Sequence, residues 1–332
     1  MNMTKVILLF MIMLSSLITM SSNNWMGMWM GLEINLMAFI PFISKNKNKK
    51  SSQAMMIYFL TQSLSSVMFL FSILLNAMLF MSPMFIEELI KMMILISLMI
   101  KVGAAPFHMW LPEMMSNLNW LECMILMTWQ KLAPLTIMNN MIPNNMFVYV
   151  SSVMSAMMGA IGGLSQTSLR KILAYSSINH LGWMMLFMSM NSAWYKYLMI
   201  YSMMIIMICL LFNMMNIYFI NQINSSSYSL TEKYMYIMML LSLGGLPPFL
   251  GFLPKWMVIQ SMIKSGLNML LLIMMLFSLV TLFFYMRMMS SMILSYTMIN
   301  KWNYMNMNNK LFMFMIMIMN LSLPLSSVFS FF

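Results

Sequence analysis

Almost the whole chain is a succession of apolar runs, each about as long as a bilayer crossing and separated by short polar stretches. A spanning helix needs about 20 predominantly apolar residues. Runs of that kind occupy residues 3–20, 24–43, 53–81, 84–112, 121–139, 146–164, 170–190, 194–219, 233–262, 266–292 and 308–331. Lipid cannot satisfy backbone polar groups, so these runs must be helices. The expected fold class is an all-α, polytopic membrane protein of about 11 transmembrane helices. The longest polar stretches, 44–53 and 220–233, leave no room for a soluble domain. Composition agrees: 7% of residues are charged, against about a quarter in a soluble domain.

The net charge of +11 does not point to nucleic acid, because there is no basic-aromatic tract and arginine occurs only at Arg170 and Arg287. The surplus is loop lysine. If the N-terminus and the even-numbered loops share one side, that side holds Lys5, Lys45, Lys47, Lys49, Lys50, Arg170, Lys171, Lys233, Lys301 and Lys310. The other side holds Lys196 and Lys264. The bias places the N-terminus in the positive-inside compartment and, after eleven crossings, the C-terminus opposite. The first run has a signal-peptide layout, but Ser21-Ser22-Asn23 is a weak cleavage site, so the run is read as a retained span. Methionine, at 58 residues, is spread evenly and stands in for Ile and Leu rather than marking a soft groove. Cys123 and Cys209 have neither metal spacing nor a disulfide framework.

Two of the runs carry the same interruption. The first copy is Pro106-Phe107-His108-Met109-Trp110-Leu111-Pro112-Glu113, and the second is Pro248-Phe249-Leu250-Gly251-Phe252-Leu253-Pro254-Lys255. Gly103 precedes the first and Gly244-Gly245 the second. Proline removes a backbone donor and clashes with the preceding turn, so Gly103, Pro106, Gly244, Gly245 and Pro248 are read as the hinges of two broken helices. The copies lie in the fourth and ninth runs, an odd number of crossings apart. They therefore cross in opposite directions, the signature of inverted repeats around an ion pathway. The expected division is 1–140 for the first five-helix repeat, 146–292 for the second and 306–332 for a final helix.

Four charges lie inside or at the breaks of these runs: Glu33, Lys101, Lys131 and Lys255. Each costs about 2.5–3.5 kcal/mol at the bilayer centre, so each needs a polar path or a partner. Lysine suits proton transfer, since burial favours its neutral form. A carboxylate about 4 Å away favours the charged form by about 4 kcal/mol at an effective dielectric of 20. Making and breaking a Glu–Lys contact can thus load and unload a proton. The bland alternatives are a snorkelling anchor for Lys255 and a structural ion pair for Glu33. Lys91 is four residues from Glu87 and suits a helical pair, and Arg287 reads as packing or snorkelling. His108 and His180 are candidate proton relays or simply hydrogen-bonded core histidines. No phosphate loop, nucleophile elbow or CxxC is present, and two histidines cannot ligate two haems.

The run Gly159-Ala160-Ile161-Gly162-Gly163-Leu164-Ser165-Gln166-Thr167-Ser168-Leu169-Arg170-Lys171 and its continuation to Ser176-Ser177-Ile178-Asn179-His180-Leu181-Gly182 carry a resemblance. With Trp29-Met30-Gly31-Leu32-Glu33-Ile34-Asn35, Thr128-Trp129-Gln130-Lys131 and the two breaks, the chain resembles, over nearly its whole length, the antiporter-like proton-channel subunits of respiratory complex I. The resemblance implies a single antiporter-like membrane domain over 1–332, a short animal-type form lacking three N-terminal spans. It also implies organelle coding in which one isoleucine codon is read as methionine. By the resemblance, Glu33 and Lys101 form the first charge pair, Lys131 is the central relay and Lys255 the terminal proton-transfer residue. The first break then serves switching and the second exit, and His108 and His180 fall at polar positions. The chain itself would bind no cofactor or metal, and NADH, FMN, iron–sulfur clusters and ubiquinone would work in other subunits. Partners would be other membrane-arm subunits and membrane lipids in an obligate hetero-oligomer, with no nucleic acid. The implied location is the mitochondrial inner membrane, N-terminus in the matrix and C-terminus in the intermembrane space. The rival readings are a stand-alone cation/proton antiporter, which should show a carboxylate cluster, and a passive structural spacer.

Overall fold

The computed structural model describes residues 3–44, 49–78, 85–141, 146–190, 192–225, 230–294 and 310–323. Lys45, Lys47, Lys301 and the end of the last apolar run lie outside the described residues, as does the side chain of Glu87. Among the described residues every regular element is helical. The chain divides into two compact units, Met1–Asn145 and Met146–Phe332.

The first unit contains α1 (Met3–Ser21), α2 (Trp25–Ser44), α3 (Lys49–Met78), α4 (Phe85–Val102), α5 (Trp110–Asn117), α6 (Trp120–Met127) and α7 (Leu132–Met141). A single 3-10 turn, Trp129–Lys131, separates α6 from α7. Helix α1 is inverted relative to a soluble helix. Its buried face is Ile12, Ser15, Ser16 and Thr19, while Ile7, Phe10, Leu14 and Leu17 point outward. The buried hydroxyls return to their own helix: Ser15 Oγ donates to the Ile12 carbonyl at 2.8 Å and Thr19 Oγ1 to the Ser16 carbonyl at 2.7 Å. Small residues let helix backbones approach where lipid supplies no hydrophobic drive. Gly31 of α2 meets this face so closely that a side chain there would run into Thr19.

The second unit contains α8 (Met146–Leu164), α9 (Leu169–Ser189), α10 (Trp194–Met215), α11 (Ile220–Ser225), α12 (Leu230–Gly244), α13 (Phe252–Lys264), α14 (Asn268–Leu294) and α15 (Lys310–Asn320). Helix α9 is buried nearly all round, as expected of a central helix. It lies against the small-residue face of α8. A Cβ on Gly159 would come within 2.6 Å of the Asn179 amide nitrogen, and one on Gly182 within 2.7 Å of the Ser152 carbonyl. The loops at one end are tied by backbone bonds: Leu169 N–H donates to the Tyr218 carbonyl and Ile220 N–H to that of Thr167.

Among the described residues six helices, α1, α2, α3, α8, α10 and α14, are long and apolar enough by themselves to cross a membrane. The fourth and ninth apolar runs are each split in two, at the repeated motif, into α4 with α5 and α12 with α13.

Candidate functional site

Among the described residues three helices are interrupted, and the half that follows each interruption starts the same way. Pro112, Pro134 and Pro254 each occupy the third position of α5, α7 and α13. A proline in the first helical turn sacrifices only a donor that would be unpaired anyway, but it cannot continue the preceding helix. The first and third interruptions also contain a glycine in the left-handed region, Gly103 at φ +78° and Gly245 at φ +77°. At each, the next amide reaches back to close the helix: Ala104 to the Met99 carbonyl at 3.0 Å, Leu246 to the Leu241 carbonyl at 3.3 Å. This is a glycine-terminated helix end. Gly244, read from the sequence as a hinge, is the last residue of α12, and Gly245 makes the turn. Pro106 follows Gly103, as Pro248 follows Gly245, by three residues; the Ala105–Pro106 bond is cis.

A broken helix exposes carbonyls that its own backbone no longer satisfies. At the first break neutral side chains serve them. Trp110 Nε1 donates to the Ile100 carbonyl at 3.1 Å, and Gln62 Nε2, from α3, donates to the Lys101 carbonyl at 3.2 Å. At the second, Lys255 Nζ donates to the Gly244 carbonyl at 2.8 Å. The snorkelling alternative for Lys255 falls here, since the residue is only 5% exposed and its ammonium points inward. Among the described residues the three buried lysines share one placement: Lys101 lies in the last turn of α4, Lys131 ends the 3-10 turn after α6, and Lys255 reaches the end of α12. The carbonyl end of a helix carries partial negative charge and favours a cation.

In the first unit Lys101 and Lys131 line one cavity of about 20 Å³, room for about one water. Its other polar walls are Asn35, Tyr58, Gln62 and Gln130. Asn35 and Gln130 bond reciprocally: Asn35 Nδ2 donates to Gln130 Oε1 at 2.8 Å and Gln130 Nε2 to Asn35 Oδ1 at 3.0 Å. The Tyr58 hydroxyl adds a 3.4 Å bond to Gln130 Oε1. Trp129 Nε1 donates to Ser16 Oγ at 3.1 Å, fixing the same turn to α1. Glu33, on α2, acts electrostatically on Lys101 but lies outside the cavity lining. Its Oε1 is buried without a hydrogen-bond partner. His108 sits in the first break with Nδ1 at 3.2 Å from the Pro106 carbonyl and Nε2 buried without a partner.

In the second unit His180, on α9, has Nδ1 at 2.8 Å from the Tyr197 hydroxyl of α10, and its ring lies 4.8 Å from that of Tyr201. Arg287 neither snorkels nor merely packs. Its guanidinium donates to the Leu164 carbonyl and, at 2.8 Å, to the Gln166 carbonyl, capping α8. Lys91 is exposed on α4. Among the described residues no three His, Cys, Asp or Glu side chains group as metal ligands. Asn35 and Gln130 carry no sequence signal beyond adjacency: Asn35 is two residues from Glu33, and Gln130 precedes Lys131.

Residues 22–281 match the family described as NADH:quinone oxidoreductase/Mrp antiporter, TM. The chain is 47% identical over 303 residues to the NADH-ubiquinone oxidoreductase chain 2 of Locusta migratoria, covering 91% of this chain and 89% of that one. It is 42% identical over 298 residues to the protein of the same name from Mus musculus, covering 87% and 86%. In fold it is similar to a chain of respiratory complex I from Thermus thermophilus, with a TM-score of 0.77 at 19% identity, over 90% of this chain and 77% of that one. A chain of an archaeal membrane-bound sulfane sulfur reductase gives 0.80 at 15% identity, over 97% and 72%.

Proposed function

The chain belongs to the NADH:quinone oxidoreductase/Mrp antiporter transmembrane family, and on that premise we propose that it is a core membrane-arm subunit of respiratory complex I. In this reading it couples NADH-to-ubiquinone electron transfer, carried out in other subunits, to proton translocation. The name shared by its relatives over most of their length supports the assignment. The observation that carries the proton role is the small cavity, with polar side chains in its wall, shared by Lys101 and Lys131. An ammonium can give its proton to water there, and a neutral amine can take one back. A change in the distance from Glu33 to Lys101 shifts that balance, because their interaction scales inversely with distance. Lys131 is the relay within the first unit. Lys255, at the carbonyl end of α12, is the terminal transfer group, with His108 and His180 as relays. Each charge moved works against about 2.3 kcal/mol per 100 mV.

The same reading makes the chain an eleven-span protein of the mitochondrial inner membrane, with the N-terminus in the matrix and the C-terminus in the intermembrane space. In it residues 1–140 and 146–292 are the two five-helix repeats and 306–332 is an added final helix. NADH, FMN, iron–sulfur clusters and ubiquinone are bound elsewhere in the complex, and the partners are other membrane-arm subunits and lipid. Affinity purification from native membranes tests this. The expected result is recovery of the chain within an NADH:ubiquinone oxidoreductase. A chain stable alone and moving cations without partners would instead establish an antiporter.

A further inference from the structure

We propose that the reciprocal Asn35–Gln130 amide pair is a positioning latch that joins the helix of Glu33 to the turn of Lys131, so that the two move as one body. The inference rests on the proton-transfer reading of Lys131. Gln130 and Lys131 are consecutive in a three-residue 3-10 turn, which has one backbone closure of its own, from Leu132 N–H to the Trp129 carbonyl. Side chains of three helices anchor it, the Tyr58 hydroxyl of α3 adding its 3.4 Å bond to Gln130 Oε1. Trp129 is tied to Ser16 of α1, and Gln130 to Asn35 of α2.

The Asn35–Gln130 anchor is directional. Two parallel bonds of 2.8 and 3.0 Å fix both the separation and the relative orientation of the two amides. The pair is buried, which limits competition from water, and it lies on the wall of the cavity that Lys131 shares with Lys101. Asn35 is two residues from Glu33 on a continuous helix. A shift of α2 that alters the Glu33–Lys101 interaction therefore pulls on Gln130, and with it on Lys131. The latch carries no proton. Asn35 and Gln130 are positioning residues that deliver displacement.

The test uses the intact complex in sealed vesicles and reads protons moved per NADH oxidised. Asn35→Leu and Gln130→Met each remove one half of the pair. The double Asn35→Leu/Gln130→Met leaves no unpaired buried amide, and replacing both partners by apolar groups of similar shape is close to neutral for the pair itself, the Tyr58 hydroxyl giving up only its long 3.4 Å bond. The exchange Asn35→Gln/Gln130→Asn restores a reciprocal pair of the same total length. The expected result is that the double apolar variant assembles and oxidises NADH with its proton ratio lowered at least twofold, while the exchanged pair recovers the ratio. A wild-type ratio in the double apolar variant would overturn the latch, since a purely structural amide pair is dispensable once both halves are apolar. Should either single variant fail to assemble, the double and exchanged variants still decide. Lys131→Met serves as the control: a wild-type ratio there defeats the proton role of Lys131 itself, whereas loss there with no loss in the double apolar variant defeats the latch alone.

Discussion

At the first break the carbonyls of Ile100 and Lys101 receive Trp110 and Gln62, both neutral. At the second the carbonyl of Gly244 receives the ammonium of Lys255. The backbones share a left-handed glycine, a proline three residues on, and a second proline in the first turn of the following half-helix, and differ in the cis Ala105–Pro106 bond of the first. The last position of the motif diverges accordingly. Glu113 is exposed, whereas Lys255 is buried. The repeated residues set where the helix stops, and the side chains around the stop decide where a charge goes. Because neutral donors close the first break, Lys101 is not spent on helix capping and can answer to Glu33. In the second break one ammonium caps the helix and, in the proposed function, also transfers the proton.

The largest effect is expected where the two jobs coincide. Lys255→Met removes a charge-assisted bond worth about 1.5–3 kcal/mol and the proposed transfer group, so assembly should weaken and proton translocation should fall at least tenfold. Lys255→Arg separates the roles. A guanidinium can still donate to Gly244 but never gives up its proton. Assembly on native gels should recover while translocation stays low, and a pumping Lys255→Arg complex would break the contrast.

Next come the glycines. A non-glycine residue in the left-handed region costs about 1–2 kcal/mol, so Gly103→Ala and Gly245→Ala should lower thermal stability by similar amounts. Their functional effects should differ. The added methyl at 245 would sit 2.8 Å from Lys255 Nζ, whereas at 103 the nearest atom is Leu111 Cδ1 at 2.9 Å. Proton translocation should therefore drop beyond the stability loss only for Gly245→Ala; equal functional losses would argue that the second break is not special. Gln62→Leu leaves the Lys101 carbonyl unserved, a cost of about 1–3 kcal/mol for a buried group, read as earlier thermal dissociation. Smallest is Glu113→Gln, expected within about 0.5 kcal/mol as an exposed substitution, with translocation unchanged; a large loss there would mean the motif's last residue matters equally in both breaks.

Both repeated breaks were legible in the sequence because glycine and proline act within a few residues of themselves. The helical class was legible because lipid leaves the backbone few choices. The third interruption was not read, although Pro134 marks it. A single 3-10 turn costs too few apolar residues to disturb the run from 121 to 139. Side-chain partners were illegible for a different reason. The Asn35–Gln130 bond spans 95 residues and the Arg287 cap on Leu164 spans 123, separations at which no local pattern reports contact. From sequence alone Arg287 thus reads as packing or snorkelling, and a snorkelling anchor stays open for Lys255, whose carbonyl partner lies across the break.

The central claim is that buried lysines at helix ends carry the protons. It is tested most directly by the proton-to-NADH ratio of assembled complexes bearing Lys131→Met or Lys255→Met, each reconstituted in sealed vesicles. The expected result is a markedly lowered ratio in both. A full wild-type ratio with normal assembly in both variants would contradict it.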